Sequence, residues 1–202
     1  MVALPDRPNL TPDEYLAAEA KSPVKHEYHD GEVYAMAGAS DEHVTIAANL
    51  TFLLLPVVRK RGCRLYNADM KVHVQRTNRY FYPDLLVTCD PRDRENRYIK
   101  EHPKLVIEIL SDSTEAFDRG DKFHHYCQLD SLTEYVLISQ NQPRIDVLRR
   151  GDTSWHFYTY TTGETLRLNS IEFEGAIESI YEDITFPTEI PIPADVRTEL
   201  AE

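Results

Sequence analysis

The sequence predicts a mixed α/β (α+β) domain built around one main sheet. Three observations carry that expectation. Helix-start signals stand at Thr11 and Ser40. Strand-like runs dominate from residue 64 to residue 160. A helical stretch at about 117–129 interrupts them, which gives the order helix, strands, helix, strands. The length agrees: 202 residues, 42% apolar and 28% charged, suit one core that buries roughly 70% of the unfolded surface. Residues 1–186 are expected to form that domain. Residues 187–202, with Pro187, Pro191 and Pro193, read as an extended tail.

Each element has a local reason. Thr11 is an N-cap followed by Pro12 and two acids in the first turn, and the helix should stop before Ser22-Pro23. Asp30-Gly31 between alternating runs signals a hairpin over 25–37. Ser40 caps a second helix in which Val44, Ala47, Ala48, Thr51, Leu54 and Leu55 recur at helical spacing as the buried face. It ends near Arg59-Lys60-Arg61-Gly62, with cations in the last turn and glycine beyond. Strands are predicted over 64–74, 80–88, 104–110, 134–139, 144–150 and 154–160, the last two joined at Gly151-Asp152. A short helix is predicted near 175–181.

Several classes drop out. The longest apolar runs, 53–58 and 105–110, are far short of a membrane span. Residues 1–6 carry no basic patch ahead of an apolar stretch, so no secretory leader is expected and the expected compartment is the cytoplasm. Cys63, Cys89 and Cys127 are odd in number and widely spaced, and read as reduced thiols. The net charge of −12 argues against binding nucleic acid by bulk attraction. It leaves room for a nuclease with local basic groups, for a carboxylate metal site, or for a plain acidic protein.

Three residues do not suit a bland core. Glu108 interrupts the run Leu105-Val106-Ile107-Glu108-Ile109-Leu110, which reads as a central strand. A carboxylate there needs a cation, a donor or an opening to solvent; an ordinary ion pair at a strand end is the alternative. Asp84 follows Pro83 in Tyr80-Phe81-Tyr82-Pro83-Asp84-Leu85-Leu86-Val87. Proline marks an edge, a strand start or a bulge, and such breaks re-aim side chains toward sites. Lys122 lies on the helix after the Glu108 strand, where an i,i+4 pair with Asp118 is the simplest reading. Together, two acids on adjacent strands and a nearby amine make a Mg²⁺ site beside a cationic donor, with Mn²⁺ as a substitute. Phosphodiester hydrolysis is the reaction those parts suit best.

Tyr82-Pro83-Asp84-Leu85-Leu86-Val87, then Pro103 to Thr114, Asp118-Arg119-Gly120-Asp121-Lys122-Phe123 and Glu134-Tyr135-Val136-Leu137-Ile138 resemble the Uma2 family of restriction-endonuclease-like proteins. So does Asp30 to Ser40 with His43 three residues on. The resemblance covers about residues 10–185 and rests on the order and spacing of these segments. It implies a core of the PD-(D/E)XK nuclease superfamily, αβββαβ with extra strands, a central mixed sheet and flanking helices. It also implies that Asp84 and Glu108 are metal ligands and catalytic acids. One position departs: the superfamily lysine stands two residues after the acid, where this chain has Leu110. Lys122 then serves as a migrated catalytic lysine. An apolar Leu110 also suits a fold that lost its chemistry and kept a binding or assembly role.

His43, in the first turn of the second helix, is the further catalytic candidate, able to hold a ligating carboxylate or a water. Glu32 and Asp69 are weaker candidates for the same pocket, with solvent-facing carboxylates as the alternative. His26, His29 and Asp30 read as decoys, because the two histidines are three apart in an extended stretch and point to opposite faces. His124-His125 are adjacent on a helix and share no face. Ser111 and Ser113 read as caps for the helix that follows. No glycine-rich phosphate loop is present. Arg92 to Lys100, between the acidic strands, is either a substrate-groove lining or a solvated loop. DNA is the expected substrate, a homodimer the expected assembly, and no membrane partner is expected.

Overall fold

Side-chain chemistry opens the first helices as the sequence dictates. The computed structural model describes residues 2–3 and 9–186, so the predicted tail at 187–202 lies outside the described residues. After β1 (Val2–Ala3) comes α1 (Pro12–Glu19), where Thr11 and Glu14 form a reciprocal capping box. Strands β2 (His26–His29) and β3 (Glu32–Ala35) form the hairpin. Asp30 and Gly31 both take positive φ at its tip, 48° and 109°, a turn that glycine adopts without strain. Ser40 accepts from the His43 N–H at the start of α2 (Asp41–Lys60).

The long strands expected at 64–74 and 80–88 each break in two. The pieces are β4 (Arg64–Asn67) and β5 (Lys71–Val74), then β6 (Arg79–Phe81) and β7 (Leu85–Thr88). Next come β8 (Ile99–Lys100) and β9 (Leu105–Leu110). A helical segment follows, made of α3 (Glu115–Phe117), a π turn (Asp118–Lys122) and α4 (Phe123–Tyr126). The chain continues with β10 (Glu134–Ser139), β11 (Arg144–Arg150), β12 (Trp155–Thr161), β13 (Thr165–Leu168), β14 (Phe173–Ala176) and α5 (Ile177–Ile180).

The single main sheet of the sequence reading becomes two six-stranded sheets. One runs β1-β3-β2-β6-β5-β8 and the other β12-β11-β10-β9-β7-β4; β13 and β14 pair separately. The break has a physical cause. Residues 68–70 turn the chain from the second sheet into the first, and Pro83, with no N–H to give a ladder, turns it back. In the second sheet β9 and β10 are parallel and the other neighbours antiparallel. A parallel pair needs a crossover, which the α3–α4 segment supplies.

Layers follow from the alternation of faces. Leu105, Ile107 and Ile109 of β9 face α2 and α5, whereas Val106 and Leu110 face α4 together with Val72, Val74 and Phe81 of the first sheet. The outer face of that first sheet packs Tyr28, Val33 and Tyr80 on Tyr15 of α1. Glu108 therefore points between the two sheets.

Two sequence expectations need correction. Helix α2 buries Ile46, Leu50, Leu54 and Val58, while Val44 is 56% exposed. The helix is apolar on nearly every side, so spacing could not choose the face; the facing sheet does. By length and composition alone α2 could cross a membrane, but that buried face lies against the sheet. Cys63 and Cys89, expected as separate thiols, are joined in a disulfide. Arg64 pairs with Thr88 across β4 and β7, so the residues just outside stand face to face, 4.2 Å apart at Cα. Cys127 is free.

Candidate active site

Pairing between β7 and β9 brings the two predicted acids to opposed positions. Leu85 pairs with Ile107, and one step further sets Asp84 opposite Glu108. Asp84 stands in the bend after Pro83, at the head of β7. Its carboxylate is held from two sides: Ile109 N–H donates to Oδ2 at 2.7 Å, and His43 Nε2 lies 2.9 Å from Oδ1. The predicted His43–carboxylate contact is thus present, delivered by the first turn of α2.

Glu108 is met by the predicted lysine. Lys122 Nζ lies 3.0 Å from Glu108 Oε1, and the Tyr126 hydroxyl donates to the same oxygen at 3.3 Å. Leu110, two residues beyond the acid, is buried in the apolar layer, so the amine reaches the strand from the π turn. Such wide turns recur at functional positions in helices. The amine has two further partners, Asp118 Oδ1 at 3.4 Å and Glu27 Oε1 at 3.2 Å, and it lies over the Phe81 ring. All four charged groups are 5% exposed or less.

Three buried carboxylates around one ammonium leave more negative than positive charge. Burial pushes Glu108 well above the usual carboxylate range; Lys122 pulls it back, but the charges of Asp118, Asp84 and Glu27 add to the rise. Burial also raises Asp118. Burial opposes the charge on Lys122, yet Glu108, Glu27 and Asp118 outweigh it and hold the ammonium far above its ordinary value. Glu27 ends below its ordinary value, because Lys122, His29 and the Tyr82 N–H together outweigh burial.

The raised Glu108 has a measurable consequence. A carboxyl whose folded pKa exceeds its unfolded value contributes stability at low pH and loses it as pH rises through the folded value. Glu108→Gln removes that loss and keeps Glu27 and Asp118 for the lysine. We expect its stability at about pH 8 to equal or exceed that of the unaltered chain, by on the order of 1 kcal/mol, and its thermal midpoint to depend less on pH. Midpoints recorded across the neutral range check this; a marked loss at pH 8 refutes it.

Glu27 is the site residue that sequence reasoning missed. Its signal was weak: Glu27 and His29 share one face of β2, and polar residues on alternate positions read as a solvent face. Here that face is covered by the second sheet. Glu32, the acid proposed on this hairpin, is exposed and accepts the Tyr34 hydroxyl instead. Asp69 is exposed and pairs with Lys25.

The decoys separate as expected. His26 turns to Glu19 and His29 to Glu27, on opposite faces. The expectation that Ser111 and Ser113 cap the next helix is corrected: they bond to each other, and Ser111 also to Thr114, so neither side chain is left to cap α3. The Arg92 to Lys100 loop leaves β7 at the end away from Asp84 and is held by its own contacts: Arg92 pairs with Asp90, and buried Lys100 donates to the Asp93 and Asn96 carbonyls. It does not line the site. Among the described residues, no three His, Cys, Asp or Glu side chains are grouped to hold a metal ion. Asp84 and Glu108 could hold a hard cation that keeps several waters, since both offer only oxygen and the buried cluster carries more carboxylates than cations.

Comparisons with known proteins agree with this architecture. The chain is 39% identical over 180 residues to the uncharacterized protein slr1290 of Synechocystis sp., covering 89% of this chain and 95% of that one. It is 34% identical over 149 residues to the uncharacterized protein sll1609 of the same organism, covering 72% and 84%. Its fold is similar to the crystal structure of "a putative nuclease belonging to DUF820" from Anabaena variabilis, with TM-score 0.72, 17% identity, and coverage of 85% of this chain and 97% of the other. That likeness supports the restriction endonuclease-like core expected from the order of elements. Residues 12–178 match the family described as "Uma2: Putative restriction endonuclease", and the chain belongs to that family.

Proposed function

We propose that this chain is a Mg²⁺-dependent endonuclease acting on DNA, with Asp84 and Glu108 as the metal-holding acids and Lys122 as the amine. The observation that carries the reading is the 3.0 Å approach of Lys122 to Glu108 beside the strand position opposite Asp84. A buried charge cluster adds little net stability over well-packed apolar residues of similar volume, so stability alone does not account for it. The family description, and the nuclease name that the Anabaena variabilis protein carries, support the same class.

Bound Mg²⁺ would acidify a water and offset charge building on a phosphate. The chain's residues do the rest. The Ile109 N–H and His43 fix the Asp84 carboxylate, so its oxygens are aimed before substrate arrives. Lys122 supplies positive charge where the phosphate oxygens would lie. Two copies would serve two strands, and sizing chromatography reads that assembly.

The test is purified protein with supercoiled plasmid and Mg²⁺. Nicked or linear product is expected, lost on chelation and restored by Mn²⁺. Cleavage of equal rate in excess chelator refutes the metal role. Leu110 in the core, and a site whose described amine is already paired, favour a second reading: a nuclease scaffold kept for binding or assembly. That reading expects no cleavage and no cation-dependent rise in melting temperature.

A further inference from the structure

The Lys122 ammonium is fully engaged. An ammonium has three N–H donors, and three carboxylates from separate elements stand around it: Glu108 at 3.0 Å, Glu27 at 3.2 Å and Asp118 at 3.4 Å. These partners hold it inside the cluster, whereas the proposed reaction needs an N–H turned to a substrate phosphate. Glu108 is also one of the two acids that would take the cation. Both demands are met by one event: when a cation draws on Glu108, the ammonium loses that partner and gains a free N–H.

Something must then keep the lysine in place. Its own backbone cannot do so alone, because a four-carbon stem is flexible. Glu27 is suited to the task. It comes from the first sheet, opposite Glu108, and is 3% exposed. Its Oε1 is fixed by the Tyr82 N–H at 3.1 Å. Among the described residues its Oε2 has no hydrogen-bond partner, and neither has His29 Nε2, 3.6 Å away. Glu27 thus faces the amine with Oε1 and His29 with Oε2. Asp118 sits on the same π turn as Lys122 and moves with it.

We propose that Glu27 and Asp118 are positioning residues that retain the Lys122 ammonium between the sheets when a divalent cation takes Glu108, freeing one N–H for the substrate phosphate. This rests on the metal-site reading above. Three carboxylates, from both sheets and the π turn, make a set from which one can be withdrawn while two remain.

Calorimetric titration of Mn²⁺ into the full chain tests it. Lys122 competes with the cation for Glu108, so Lys122→Met should bind Mn²⁺ at least about fivefold more tightly. Unchanged or weaker affinity overturns the proposal. Glu27→Gln should weaken Mn²⁺ binding by about fivefold, because the lysine then clings to Glu108, and should have no effect in the Lys122→Met background. Equal weakening in both backgrounds overturns it, since Glu27 would then act on the cation directly. Should Lys122→Met fail to fold, the unaltered chain with ¹⁵N-labelled lysine decides: saturating Mg²⁺ should shift the Lys122 Nζ resonance, and Mg²⁺ binding that leaves it unmoved overturns the proposal. Failure of all these proteins to bind Mn²⁺ removes the metal-site reading as well, whereas equal binding in all of them removes this proposal alone.

Discussion

On the proposed reading, Asp84→Ala should lower Mg²⁺-dependent plasmid cleavage by about 10²–10³-fold, the scale seen when a pre-aimed electrostatic group is removed from a reacting centre. The size follows from what the carboxylate holds. It is the one charge at the head of β7 with both oxygens already directed, by the Ile109 N–H and by His43. Asp84→Asn separates charge from shape. The amide can keep one hydrogen bond and fill the same volume, but it offers a hard cation far less. If Asp84 acts as a ligand, Asn should be nearly as damaging as Ala. Activity restored by Asn would assign Asp84 to holding α2 against β7 and would refute the ligand role. Initial rates for both variants, alongside melting curves that verify folding, decide the matter.

Lys122→Met should cost about 3–5 kcal/mol of stability near neutral pH, since removing one partner leaves buried charge uncompensated. Three carboxylates lose their common cation, and each of them is nearly free of solvent. The sign of the pH dependence is fixed. Without the ammonium, the folded-state affinities of Glu108 and Asp118 for protons rise further above the unfolded ones, and that of Glu27 loses the main charge that holds it low. The deficit is therefore largest at high pH and shrinks as pH falls toward the unfolded carboxylate range. Denaturant melts of both proteins at several pH values measure it. A deficit independent of pH would mean that the lysine matters for the packing of its buried stem, not for its charge.

The sequence revealed the part of the site that breaks local rules. A glutamate in the β9 run, and an aspartate after proline, are errors in an ordinary core, and errors of that kind concentrate where function overrides folding. Lys122 was visible only as a companion of Glu108, because its i,i+4 partner Asp118 offered a sufficient local explanation. Glu27 stayed hidden since period-two patterning cannot say which face of a hairpin a second sheet covers. The division into two sheets was only half visible: Pro83 marked a break in 80–88, but a break does not say that the chain there passes from one sheet to another, and the corner in 64–74 depends on a three-residue turn. The Cys63–Cys89 contact depends on the register of β4 with β7, which the 26-residue separation does not encode.

The π turn at Asp118–Lys122 separates two inheritances that a strand-borne lysine would bind together. When acid and amine alternate on one strand, any change to the amine also changes a core position of the central sheet. Here the strand keeps Leu110 for packing, and the amine rides on a crossover segment outside the ladder. Evolution can retune, silence or restore the chemistry by editing that short detour, without repacking the sheet. Descendants of one ancestral fold could thus diverge into cutters and mere binders through very few substitutions.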